Sequence, residues 1–67
     1  MNWQEYVVID PEICRGRACI RCTRVMVSVI LDNIAAGQGV EEILKSYPSL
    51  TQDAILAALA YGAELAR

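Results

Sequence analysis

Three cysteines, Cys14, Cys19 and Cys22, are interleaved with four of the chain's six basic residues, Arg15, Arg17, Arg21 and Arg24. Thiolates with four and then two residues between them have the spacing of the first three ligands of a plant-type iron–sulfur site. Three thiolates can also begin a zinc site. Either site needs a fourth ligand, and the chain has no histidine and no fourth cysteine. A metal would therefore require a carboxylate or a second chain. The simpler reading is three small apolar residues, since free cysteine packs as a small hydrophobe. No metal and no cofactor are expected. A neighbouring guanidinium can lower a thiol pKa and make it reactive, but no other residue points to redox chemistry.

The arginines offer a different chemistry. A guanidinium grips phosphate or carboxylate with two parallel hydrogen bonds. Such a cluster fits nucleic acid, an acidic protein surface, or a loop kept in solvent. Catalysis is not expected, because no imidazole is available as a base for a serine or cysteine nucleophile. Asp10 with Glu12, and Glu41 with Glu42, are carboxylate pairs at turns and helix starts, where such residues ordinarily cap or face water. A chain of 67 residues also has little room for a substrate pocket.

The elements that would position these residues fall into two parts. In the first, 1–26, Tyr6-Val7-Val8-Ile9 reads as a short strand ended by Asp10-Pro11. Arg15-Gly16-Arg17 reads as a turn, and Ala18-Cys19-Ile20 as a second extended piece. Strands this short must pair with each other, with a second copy, or lie on helices. In the second part, 27–67, the period changes. Val27, Ile30, Leu31 and Ile34 follow the spacing of an amphipathic helix that ends at Gly37-Gln38-Gly39. Val40, Ile43, Leu44 and Tyr47 repeat it, with Glu41 and Glu42 in the first turn and Pro48 as the stop. Thr51 is an N-cap for an alanine-rich helix over 52–66, whose larger apolar residues are Ile55, Leu56, Leu59 and Leu65. The expected fold is mainly α, a homeodomain-like or winged-helix-like three-helix, helix-turn-helix bundle preceded by a short β element. All 67 residues are expected to form one domain.

Charge and composition narrow the function. The net charge of −2 hides a split: residues 27–67 carry Asp32, Glu41, Glu42, Asp53 and Glu64 against Lys45 and Arg67. A DNA-reading helix presents basic and amide side chains to the major groove. Here neither the second nor the third helix does so. The chain is 55% hydrophobic, more than so small a monomer readily hides, and a homo-dimer is the expected way to cover the surplus. No signal peptide or span of roughly 20 apolar residues is present, and the odd cysteine count argues against a disulfide framework. A reduced, cytoplasmic setting is expected.

Longer motifs run in order along the chain. They are Ile9-Asp10-Pro11-Glu12-Ile13-Cys14, Gly16-Arg17, Ile20-Arg21, Thr23-Arg24-Val25 and Ala36-Gly37, then Glu42-Ile43-Leu44, Tyr47-Pro48, Leu50-Thr51 and Ile55 to Tyr61. Over about residues 6–62 the chain resembles the bacterial and archaeal domain-of-unknown-function family 433. The resemblance implies a helix-turn-helix core behind a small β element. It also implies an antitoxin-like role, with a PIN-like ribonuclease as companion and operator DNA as a further ligand. Against the family pattern, Cys22 stands where glycine is usual, while Ala18 and Met26 replace prolines. Toxin-wrapping antitoxins often carry a segment beyond the third helix. No such segment follows the third helix in this sequence, which counts against direct toxin neutralisation by that route, with the arm as the expected substitute. Arg15, Arg17, Arg21, Thr23 and Arg24 are the expected contacts with partner or nucleic acid. A DNA-binding regulator acting alone, or a structural interaction module, are the other readings.

Overall fold

A computed structural model describes all residues, 1–67. Two short strands, β1 (Val7–Val8) and β2 (Cys19–Ile20), precede three helices, α1 (Val27–Ala35), α2 (Val40–Ser46) and α3 (Gln52–Ala66). Single 3-10 turns lie at Trp3–Glu5 and Cys14–Gly16. The architecture is mainly α, as the sequence periods require.

The strands pair within the chain, antiparallel, with Val7 opposite Ile20 and Val8 opposite Cys19. A further bridge joins Cys19 to Met26. The sheet is anchored to the helices through the backbone, since the Val27 N–H donates to the Ala18 carbonyl at 3.0 Å.

Each helix ends where its sequence dictates. After α1, Gly37 takes φ +93°, a region nearly closed to side-chain-bearing residues. Its N–H donates to the Ile34 carbonyl, and that of Gln38 to the Asn33 carbonyl, at 2.9 and 3.0 Å. This double bond pattern closes the C-terminus and turns the chain toward α2. At the start of α2 the Gly39 N–H donates to Glu42 Oε1 at 3.2 Å. At the start of α3, Thr51 Oγ1 accepts from the Ala54 N–H at 3.1 Å.

One core unites both parts of the chain. Val7 and Ile20 from the strands pack with Val27, Ile30, Ile43, Leu50, Ala54, Ile55 and Ala58. No polar or charged residue is buried with them. Leu50, in the link before α3, belongs to this core and is more than a spacer. The Trp3–Glu5 turn, which no periodicity announced, lays Trp3 edge-on to Tyr61 of α3, with ring centroids 4.9 Å apart at 68°.

Helix α3 inverts the expected hierarchy of size. Ala54, Ala57 and Ala58 are buried beside Ile55, whereas Leu56, Leu59 and Leu65 are exposed. Small residues let neighbouring elements approach. At Gly62 an added Cβ would lie 3.1 Å from Leu31 Cδ1, so the absence of a side chain sets how closely α1 and α3 pack.

Candidate partner-binding arm

Residues 9–26 leave β1, return through the Cys14–Gly16 turn, and reach α1 after a second turn at Arg21-Cys22. The first turn is left-handed over three successive residues, Cys14 (φ 51°), Arg15 (φ 57°) and Gly16 (φ 80°). Two of them carry side chains, at a cost of order 1–3 kcal/mol each. Local hydrogen bonds hold the loop in place. Asp10 Oδ1 accepts from the Glu12 N–H at 2.9 Å. The Gly16 and Arg17 N–H groups donate to the Ile13 and Cys14 carbonyls.

The second turn is organised by Thr23. Its hydroxyl donates to the Ile20 carbonyl at 2.8 Å and accepts from the Val25 N–H at 3.1 Å. Both hydrogen-bonding functions are thus used inside the arm, and the side chain is half-buried. Within this turn Cys22 has φ +64°, a left-handed conformation that glycine adopts without steric cost.

The four arginines are all exposed, but they do not form one cluster. Arg15 and Arg17 line an open depression of about 300 Å³ with Cys14 and Met26. Arg17 also borders a neighbouring groove of about 350 Å³, floored by Ile9, Val27, Leu31, Tyr61 and Leu65. The Arg24 backbone joins this side, accepting from the Cys14 thiol at 3.6 Å. Arg21 lies elsewhere. It lines a third depression, of about 290 Å³, with Glu5, Tyr6 and Ser49, and its Nε donates to the Glu5 carbonyl at 3.1 Å. The chain's one ion pair is Arg67 with Glu64, at 2.6 Å. No arm guanidinium meets a carboxylate.

The three thiols are divided in the same way. Cys14 and Cys19 lie together, whereas Cys22 faces the depression that Arg21 lines. No group of three or more Cys, Asp or Glu side chains is placed to hold a metal ion. Burial, followed by the hydrogen bond and charge of Cys14, pushes the Cys19 thiol above its ordinary pKa, and the Arg24 charge opposes this.

Residues 7–62 match the model of the family described as "Protein of unknown function (DUF433)". The chain belongs to this family. An uncharacterized protein of Sinorhizobium fredii, y4eO, is 38% identical over 58 residues, 87% of this chain and 26% of that protein. A crystal structure of a DUF433 member from Anabaena variabilis superposes with a TM-score of 0.85 at 34% identity. It matches 91% of this chain and 60% of its own. The chain therefore spans about a quarter of one relative and under two thirds of the other. The DUF433 fold, with its short antiparallel sheet before three helices, accounts for the motifs from Ile9 to Tyr61. Across the fold no helix is long and apolar enough to cross a membrane.

Proposed function

We propose that this DUF433 chain is a non-catalytic binding protein, the antitoxin-like partner of an acidic, PIN-like ribonuclease. One observation carries the reading: Arg15, Arg17 and Arg24 are exposed and lack any carboxylate partner within the chain. Unpaired guanidiniums, with that of Arg17 bordering an apolar groove, suit an acidic protein surface, to which they add charge-assisted hydrogen bonds. Helices α2 and α3 favour a protein partner over DNA. Their outward faces carry Glu41, Glu42, Asp53 and Glu64, which repel phosphates. In this reading Arg21 and Thr23 shape the arm, while Arg15, Arg17 and Arg24 make the contact. The exposed Leu56 and Leu59 on the outer side of α3 supply a surface for a second copy in a homo-dimer.

The test is co-purification of the full chain with a PIN-like ribonuclease encoded beside it. The triple variant Arg15→Ala, Arg17→Ala, Arg24→Ala should keep the fold and weaken the complex at least about tenfold, the equivalent of one lost charged hydrogen bond. Unchanged affinity would remove the arm from the interface. A gel shift on the upstream DNA, binding at low salt and failing steeply as salt rises, would favour the regulator reading instead.

A further inference from the structure

Partner binding leaves one feature of the arm unused, the pairing of Cys14 with Cys19. Cys14 and Arg15 are left-handed, and the Cys14 thiol reaches the backbone at Arg24. Cys14 Sγ donates to the Arg24 carbonyl at 3.6 Å, and Cys19 Sγ to the Thr23 carbonyl at 4.0 Å. The two acceptors are consecutive carbonyls of one turn. The two thiols are also near enough for Cys14 to raise the pKa of Cys19. Their access to solvent differs sharply. Cys14 is half-buried at the edge of the open depression shared with Arg15, Arg17 and Met26. Cys19 is 1% exposed.

We propose that Cys14 and Cys19 are a peroxide-reactive dithiol that closes to an intrachain disulfide, with Cys14 oxidised first and Cys19 resolving. In the first step the Cys14 sulfur attacks one peroxide oxygen and the O–O bond breaks. Cys14 becomes a sulfenic acid, and its thiol proton leaves with the second oxygen as water. In the second step the Cys19 sulfur attacks the Cys14 sulfur. The S–O bond breaks, and the departing hydroxide takes the Cys19 proton to form a second water. Two thiols lose two electrons in all, and one peroxide gains them.

Access sets the order of events. A small oxidant reaches Cys14 through the depression, whereas Cys19 is covered by the sheet and the turn. The burial that keeps Cys19 protonated also keeps it inert until a sulfenic sulfur lies beside it. Arg15, Gly16 and Arg17 lie inside the ring that the bond would close, so oxidation restricts how the two guanidiniums are displayed. That last consequence rests on the partner-binding reading, and the disulfide itself does not.

The experiment uses the full chain, reduced, freed of reductant and exposed to hydrogen peroxide. Free thiols are then counted by maleimide labelling under denaturing conditions. The three thiols of the reduced chain should fall to one, Cys22, with the mass of a monomer short of two hydrogens. Trypsin cuts after Arg15 and Arg17, so the bond should appear as a cross-link between the Cys14 and Cys19 peptides. Cys19→Ser should accumulate a Cys14 sulfenic acid that a 1,3-dione reagent captures. Cys14→Ser should leave Cys19 unmodified. Three surviving thiols, or a cross-link through Cys22, would overturn the proposal. The unmutated chain alone decides this, even if a serine variant fails to fold.

Discussion

The arm and the helical body each send an isoleucine into the same core, Ile20 from β2 and Ile30 from α1, but they are built differently around it. The body is regular: three helices with their ends closed by Gly37, Gly39 with Glu42, and Thr51. The arm has two residues per strand and relies on isolated bonds, such as the Arg21 N–H to the Tyr6 carbonyl at 2.7 Å. Every positive φ at a residue other than glycine falls in the arm, at Cys14, Arg15 and Cys22. The body therefore satisfies its helix ends locally, while packing supplies most of the stability of helices this short. The arm borrows stability from the core it helps to close, and holds strained turns that carry arginines and thiols. Strain of this kind persists only where the surroundings over-determine it.

The largest effect that tests this contrast is in the shared core. Ile30→Ala and Ile20→Ala should each cost about 2–5 kcal/mol in denaturant unfolding, because both remove buried methyl groups that cannot be refilled. The residues are 0% and 4% exposed. If Ile20→Ala costs under about 1 kcal/mol, the arm is an appendage and the single-core description fails. Thr51→Ala comes next. Losing the cap of α3 should lower stability by about 1 kcal/mol, while Thr23→Ala, acting within the arm, should loosen amide-exchange protection at Val25 more than global stability.

A smaller effect of opposite sign is expected at Cys22. Cys22→Gly relieves a left-handed side chain and should raise stability by about 0.5–1 kcal/mol after the entropy of glycine is counted. A lower melting temperature in that variant would show that the turn is not strained. The smallest effect is pH-dependent. The Cys19 thiol has a raised pKa when folded, so the folded state holds its proton more tightly than the unfolded chain does. Its contribution is complete below the ordinary value of 9.0 and is lost as pH rises from there through the folded pKa. Cys19→Ala should therefore flatten the alkaline arm of a stability profile. An unchanged slope would place the titration elsewhere.

Much of the fold was legible in the sequence because its signals are local. The 3.6-residue period places α1 and α2, the glycines and Pro48 end them, and Thr51 starts α3. Each depends on contacts a few residues apart. The helix α3 was placed correctly as an element, but its orientation was not readable from residue size. Leu56 and Leu59 are obvious apolar choices, and yet both are exposed while Ala54, Ala57 and Ala58 are buried beside Ile55.

The arm divides along the same line. By itself the sequence determined that arginines and cysteines are concentrated between residues 14 and 24 and that an acidic helical body follows them. Only tertiary structure decided their partners. The left-handed turn at Cys14 brings that thiol to Cys19 and leaves Cys22 apart. The β1–β2 pairing directs Arg15 and Arg17 to one side and Arg21 to the other. Spacing along a chain sets which groups are near in sequence. Turn handedness and strand register set which groups meet, and those are settled by packing against a core that spans the whole molecule.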